Sequence, residues 1–131
     1  MNKRIVPASM QGFYDDYHFA PAVIDGDHLR VSGVIGIDLA AGTVPADPQT
    51  QFTQAFDNLA EVLAAGGTDF AAITEMTTFH VGLREHLGVF MAVKDHYVKE
   101  PYPAWTAIGT PELALEGALV EIRVTARLAG S

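Results

Sequence analysis

The sequence contains no cysteine, and this absence excludes several kinds of chemistry at once. Without a thiol there is no disulfide, no cysteine nucleophile, no iron–sulfur cluster and no cysteine-ligated zinc. Positive charge is also scarce, because eight Lys and Arg residues stand against sixteen Asp and Glu residues, a formal net charge of −8. Binding to phosphate groups requires a basic surface, so this charge argues against nucleic acid or an anionic membrane as a partner.

Long hydrophobic runs are missing as well. The longest weakly polar run, residues 31–37, contains Ser32, Gly33 and Gly36, and it is far too short to cross a bilayer. The N-terminus carries two positive charges, at Lys3 and Arg4, but no apolar segment of the kind found in secretory signals follows them. We therefore expect a cytoplasmic protein.

What is present fits one globular domain. The chain has 131 residues, of which 49% are hydrophobic and 18% are charged. These fractions supply enough apolar side chains for a core, and the charge is too low for a disordered chain. Because the length is that of one ordinary domain, we predict a single domain over residues 1–131.

Local patterns predict two helices. Asp47 followed by Pro48 is typical of a helix start, and apolar residues then recur at helical spacing up to Gly66. A second helix is predicted over residues 84–98. Strands are predicted within residues 22–37, 73–81, 105–109 and from 120 to the end, and residues 10–19 are predicted to be an ordered loop. This order favours an α+β fold, with two helices packed on one face of a mixed sheet of five or six strands.

The last predicted strand alternates most clearly. Its apolar positions are Val120, Ile122, Val124, Ala126 and Leu128, and its polar positions are Glu121, Arg123, Thr125 and Arg127. The apolar face is expected to pack under the helices, so the polar face must meet solvent or another subunit. Glu121 stands out because Glu is depleted in strands. It would either form an ion pair with Arg123 or Arg127, or serve in a pocket as a general base that orients water.

No metal or cofactor site is predicted. The five histidines lie at His18, His28, His80, His86 and His96, and none of their spacings is typical of metal ligands. His80 lies within a predicted strand and is interpreted as a structural residue of the sheet. Phosphate-binding glycine motifs are also missing from the sequence.

Several segments, in the same order along the chain, resemble motifs of the Rid family, the reactive intermediate deaminases that are also called YjgF-type proteins. The matching segments are Phe19-Ala20-Pro21-Ala22-Val23, Leu29-Arg30-Val31-Ser32-Gly33, Gln49-Thr50-Gln51 with Asn58-Leu59-Ala60-Glu61-Val62-Leu63, Pro103-Ala104-Trp105 and Gly117-Ala118-Leu119-Val120-Glu121-Ile122. Each motif alone is weak, but together they cover nearly the whole chain.

The resemblance implies a six-stranded mixed sheet with two helices on one face, assembled as a homotrimer with ligand clefts between subunits. It also implies hydrolysis of imines or enamines, such as 2-aminoacrylate, to keto acids and ammonia without a cofactor. In that chemistry an Arg grips the substrate carboxylate and a Glu activates water. Carried over by position, Glu121 is the catalytic residue, and the ligand-binding residues are Phe19, Ser32, Gly33, Trp105 and Ala107. Arg123 is a further ligand-binding candidate from its place on the strand, because it follows Glu121 by two residues and could supply a cation there.

The chain departs from the family pattern at three of these positions. Trp105 stands where the family has the Arg, Phe19 stands where it has a Tyr, and Ala107 stands where some members have a Cys. An indole offers one N–H and no charge, so Trp105 is unable to clamp a carboxylate as a guanidinium does. We therefore expect a divergent member with a more apolar pocket, and not a standard 2-aminoacrylate deaminase. The alternative is that Trp105 fills the cleft and the protein is a non-catalytic trimer that binds a small ligand or a partner protein.

Overall fold

The computed structural model describes residues 2–128, which form one mixed β-sheet with three α-helices. The helices are α1 (Gln11–Tyr17), α2 (Pro48–Ala65) and α3 (Leu83–Tyr97). The strands are β1 (Lys3–Ile5), β2 (Ala22–Asp25), β3 (His28–Val31), β4 (Val34–Ile35), β5 (Ile73–His80), β6 (Ala104–Gly109) and β7 (Val120–Arg127). The predicted α+β class is confirmed. Of the helices in residues 2–128, none is both long and apolar enough to cross a membrane.

The strands lie in the order β1-β2-β3-β7-β5-β6, and β4 also pairs with β7. The β5–β6 pair is parallel, whereas β7 runs antiparallel to β3, β4 and β5. One half of β7 pairs with β3 and the other half with β4. Between β3 and β4, at Ser32 and Gly33, the chain does not pair with β7. The candidate site lies beside this break in the pairing.

The core lies between the sheet and the helices α2 and α3. The apolar positions of β7 are buried, as their alternation predicts. Phe52 and Phe56 of α2 meet Phe90 of α3, with ring centroids 5.4 and 5.6 Å apart. Helix α2 begins as predicted, because the Asp47 carboxylate accepts a hydrogen bond from the Thr50 N–H. The same bonds to Thr50 hold the pKa of Asp47 below its usual value.

A buried glutamine joins α2 to two loops. The Gln51 side-chain amide donates hydrogen bonds to the Pro45 and Gly117 carbonyls, at 2.9 and 3.0 Å, and its oxygen accepts one from the Leu119 N–H at 2.6 Å. Every polar atom of this buried side chain is therefore bonded, which fixes the segment that leads into β7.

The N-terminal part of the chain differs from the prediction. Residues 10–19 do not form a loop throughout, because α1 occupies seven of them and ends at His18 with a φ of +61°. Strand β1 adds a further edge to the sheet by pairing with β2. The helix is short and buries no residue of its own, so its sequence lacks the apolar period by which longer helices are predicted.

Candidate functional site

A cavity of about 230 Å³ opens beside the break between β3 and β4. Its walls come from α1 and the residues after it, the β3–β4 junction, α2, and the loop before β7. The lining is mostly apolar and consists of Met10, Phe13, Tyr17, Phe19, Pro21, Ser32, Gly33, Val34, Ile35, Ile37, Asn58, Val62, Ala114, Leu115 and Glu121. Four of the predicted site residues, Phe19, Ser32, Gly33 and Glu121, are thus brought together.

Glu121 is the charged residue of this lining. Among residues 2–128, its carboxylate has no hydrogen-bond or ion-pair partner. Neither arginine considered for an ion pair forms one with Glu121. The Arg123 guanidinium lies 5.9 Å from the ring centroid of Phe79, the residue opposite Glu121 on β5, and Arg127 pairs with Asp27 at 2.9 Å. The carboxylate is therefore available to a ligand or a water molecule.

The cavity owes its shape at Glu121 to a glycine. A Cβ atom added to Gly33 would lie 2.5 Å from Cδ and 2.7 Å from Cγ of Glu121. These distances are far below van der Waals contact, so a larger residue at position 33 would displace the carboxylate. Gly33 of the Ser32-Gly33 motif therefore makes room for the Glu121 side chain, because it has no side chain of its own.

Two other polar side chains of the lining are already used by the protein. The Ser32 hydroxyl donates to the Ala20 carbonyl at 2.7 Å. The Asn58 amide donates to the Ile35 and Ile37 carbonyls at 3.0 and 2.8 Å, which holds β4 and the residues after it against α2. Both side chains therefore position the walls, and the Glu121 carboxylate and the Tyr17 hydroxyl remain as the polar side-chain groups of the lining that have no hydrogen bond within residues 2–128.

An aromatic pair forms the outer wall. The rings of Phe13 and Phe19 are stacked, with centroids 5.5 Å apart and an interplanar angle of 17°. Phe13 belongs to α1, the helix that the sequence did not predict. The contribution of α1 to the site was therefore missed, although the run of aromatic residues at 13–19 was its signal in the sequence.

Trp105 and Ala107 lie on the other face of the sheet. Trp105 pairs with Met76, which also pairs with Val124, and paired residues of neighbouring strands share a face. Met76 and Val124 are buried in the core under the helices. Glu121, an odd number of positions from Val124, points to the opposite face. One chain by itself therefore does not bring Trp105 and Ala107 into the cavity with Glu121.

The environment of Trp105 is defined by three neighbours. Its indole N–H donates to the Thr78 hydroxyl at 2.9 Å, and its ring centroid lies 6.1 Å from that of Phe90. The Lys94 ammonium lies 4.6 Å from the indole centroid. The indole N–H is thus already used. The sequence motifs did not identify Lys94 as a neighbour of Trp105, although a lysine on the apolar side of the second predicted helix was its signal.

His80 is buried behind Trp105. Its Nε2 lies 2.7 Å from the Thr78 hydroxyl oxygen, and its ring stands edge-on to Phe90 at 4.7 Å. Among the described residues, its Nδ1 has no hydrogen-bond partner. Burial lowers the pKa of His80 to about 4, so the ring is neutral at pH 7. Within the part of the chain that the structure describes, no three His, Asp or Glu side chains are grouped to hold a metal ion.

Comparisons with known proteins agree with the motifs. The family described as Endoribonuclease L-PSP matches residues 13–128. The RutC family protein YjgH of Escherichia coli is 38% identical over 125 residues, covering 95% of this chain and 93% of that protein. A goat (Capra hircus) 2-iminobutanoate/2-iminopropanoate deaminase is 30% identical and covers 82% of this chain and 78% of its own length.

The solved structures agree as well. A structure of a protein named YJGH has a TM-score of 0.89 and 37% identity, covering 99% of this chain and 98% of its own. The order of the matched motifs, the sheet topology and these relatives all point to one group of proteins. The chain therefore belongs to the Endoribonuclease L-PSP family, the YjgF-type proteins that its motifs resemble.

Proposed function

We propose that the protein hydrolyses small imine- or enamine-like molecules, with Glu121 as the base that activates water. The observation that carries this proposal is the unpartnered carboxylate of Glu121, which faces a largely apolar cavity of about 230 Å³. The goat relative, named as a 2-iminobutanoate/2-iminopropanoate deaminase, supports the same type of reaction. The net charge of −8 favours a small molecule over RNA as the substrate, despite the family's description.

The chemistry requires one carboxylate and one water molecule. Glu121 accepts a proton from water while the water oxygen bonds to the imine carbon, and it passes this proton to the imine nitrogen to give a neutral carbinolamine. Glu121 then takes the proton of the new hydroxyl group and passes it to the nitrogen, so that the carbonyl forms, the C–N bond breaks and ammonia leaves. An imine and one water molecule thus become a ketone or keto acid and ammonia, and Glu121 ends in its starting state.

The specificity is proposed to differ from that of a standard 2-aminoacrylate deaminase. Trp105 lacks the two-pronged guanidinium that suits a carboxylate, and its single N–H is already donated to Thr78. The cavity lining is mainly aromatic and aliphatic, including Phe13, Phe19 and Leu115. We therefore expect apolar imines to be preferred over small carboxylated ones.

A homotrimer with clefts between its subunits is part of the proposal. Trp105 and Ala107 lie on the face of the sheet opposite to Glu121, so they would meet a ligand of Glu121 only across an interface between two copies of the chain. Arg123 lies two residues from Glu121 on the same face and would therefore approach that interface from the same side as Glu121. Light scattering is expected to give three times the mass of the 14.0 kDa chain.

A second candidate function is ligand binding without turnover. The apolar lining favours it, because Ser32 and Asn58 are already bonded to the backbone and leave few groups to stabilise a transition state. In this case the cavity would hold a small apolar ligand, and replacement of Glu121 would leave binding largely intact.

The two candidates are separated by an assay of imine hydrolysis. Imines are generated in place by an amine oxidase from an apolar amine, or by an amino-acid oxidase from alanine, and their lifetime is followed by trapping with semicarbazide. We expect the protein to shorten the lifetime of the apolar imine and to have little effect on 2-iminopropionate. Glu121→Gln should lower the rate by about 100-fold, since general base catalysis contributes about that much or more.

The matched control is Glu100→Gln, the same change at an exposed carboxylate outside the cavity. It should behave as the unmodified protein. Absence of hydrolysis with every imine would favour the second candidate function, ligand binding without turnover. Full activity of Glu121→Gln would show that Glu121 is not the base.

A further inference from the structure

Trp105 is held by a short chain of hydrogen bonds that runs into the core. Its indole N–H donates to the Thr78 hydroxyl at 2.9 Å, and the same hydroxyl oxygen lies 2.7 Å from Nε2 of His80. Thr78 and His80 are buried, whereas Trp105 is half-buried and packs against the core. The hydrogen bonds thus join Trp105, on which the proposed specificity depends, to two side chains inside the protein.

Counting hydrogen-bond partners assigns a direction to this chain of bonds. A neutral imidazole has one N–H donor and one acceptor nitrogen, and Nδ1 of His80 has no partner within residues 2–128. If Thr78 donates its proton to Nε2, only the Nδ1–H is left without a partner. If the Nε2–H donates to Thr78, both Nδ1 and the hydroxyl proton lack partners among the described residues. Unpaired buried polar groups are costly, so the Thr78 hydroxyl accepts from the indole and donates to His80.

The other contacts of the indole are less directional. The Phe90 ring centroid lies 6.1 Å from that of Trp105, and the Lys94 ammonium lies 4.6 Å from the indole centroid. Packing contacts of this kind change little when a ring turns within its own plane, whereas a hydrogen bond weakens steeply as its angle changes. The bond to Thr78 is therefore the contact that sets the direction of the indole N–H.

We propose that Thr78, with His80 behind it, is a positioning residue that fixes the Trp105 indole as a rigid wall for an apolar substrate. The inference rests on the proposed function, in which Trp105 of one copy meets the ligand of Glu121 of another. A ligand that has to order a mobile side chain binds about two- to tenfold more weakly than one that meets a fixed side chain. The Thr78 hydroxyl thus acts on substrate affinity through Trp105 and leaves the chemistry at Glu121 unchanged.

The test compares Thr78→Val, which keeps the shape of the side chain but removes the hydroxyl, with Thr78→Ser, which keeps the hydroxyl. Trp105 is the one tryptophan of the sequence, so the near-ultraviolet dichroism and the fluorescence anisotropy of indole report on it directly. We expect both signals to fall in Thr78→Val, and the KM for the apolar imine to rise about two- to tenfold at unchanged kcat. Thr78→Ser should restore the signals and the KM.

A double variant and a matched control complete the set. Thr78→Val leaves Nε2 of His80 without its partner, so Thr78→Val with His80→Phe is included, because replacing both buried partners by apolar groups costs little stability. It should show the same loss of indole order. The control Thr74→Val makes the same change on the same strand and removes the hydrogen bond of an exposed hydroxyl to the Thr125 carbonyl, at 3.1 Å. It should leave the indole signals and the KM unchanged.

The proposal is overturned if the folded Thr78→Val protein, or the double variant, has the indole signals of the unmodified protein. It is also overturned if Thr78→Ser behaves as Thr78→Val does, or if kcat falls while KM stays the same. If the unmodified protein hydrolyses no imine, the proposed function fails, and the indole signals still decide whether Thr78 fixes the ring.

Discussion

Replacement of Gly33 by alanine tests the placement of Glu121 most directly. The added Cβ would lie 2.5 Å from Cδ, 2.7 Å from Cγ and 2.8 Å from Oε2 of Glu121. Carbon atoms in contact are about 3.5–4.0 Å apart, so the side chain would have to move by roughly 1 Å. Because the crowded atoms include the middle of the side chain, rotation of the carboxylate alone does not relieve the clash.

The expected cost follows from this geometry. Overpacking of this kind destabilises a protein by about 1–3 kcal/mol. A displacement of about 1 Å also removes a catalytic group from its working position, which costs roughly 100-fold in rate. Gly33→Ala is therefore expected to lower the free energy of unfolding and, if the protein hydrolyses imines, the rate of hydrolysis.

A double-mutant cycle measures the contact without relying on activity. The free energy of unfolding in urea is compared for the unmodified protein, Gly33→Ala, Glu121→Ala and the double variant, all at one protomer concentration. Gly33→Ala should cost about 1–3 kcal/mol with Glu121 present and close to nothing with Ala at position 121. Gly88→Ala is the control, since among the described residues no atom lies within 4 Å of its added Cβ, and it should stabilise α3 by about 0.5–1 kcal/mol in both backgrounds. An equal cost of Gly33→Ala in both backgrounds would refute the contact.

Two further predictions concern buried polar residues. Burial lowers the pKa of His80 to about 4, whereas the pKa of an unfolded histidine is about 6.5. Between these two pH values the unfolded chain binds more protons than the folded one. The free energy of unfolding therefore falls as the pH is lowered from 6.5 to 4, by up to about 3 kcal/mol. His80→Gln should flatten the profile of unfolding free energy between pH 6.5 and 4, and an unchanged profile would show that another group is responsible. Gln51→Leu should cost about 3 kcal/mol or more in urea unfolding, because it removes three hydrogen bonds and leaves buried backbone groups unsatisfied. The exposed control Gln49→Leu should change stability little, and equal losses in the two variants would contradict this role of Gln51.

The elements with strong local signals could be predicted from the sequence. The start of α2 at Asp47-Pro48 follows from capping and backbone chemistry, and its apolar spacing follows from the helical period. The alternation along β7 predicted which side chains are buried. In contrast, α1 was not predicted, because its sequence is short, buries no residue and has no apolar period of its own.

Part of the candidate site also came from the sequence. Phe19, Ser32, Gly33 and Glu121 were identified from motifs, and they do line one cavity. Whether Trp105 lies on the same face of the sheet as Glu121 could not be predicted from the sequence. Alternation along one strand shows which of its residues share a face, but it does not show which residues of a neighbouring strand share that face. That match depends on the register of β6 with β5 and of β5 with β7.

The sequence by itself therefore determined the fold class, the main helix and strand patterns, and the identity of a lone strand glutamate. These features depend on residue type and on spacing along the chain, which are local properties. Only the tertiary structure decided that Glu121 has no partner within residues 2–128, that Gly33 makes room for it, and that Lys94 lies against Trp105. Such contacts join residues that are far apart in the chain, so they are set by strand register and helix packing rather than by local sequence.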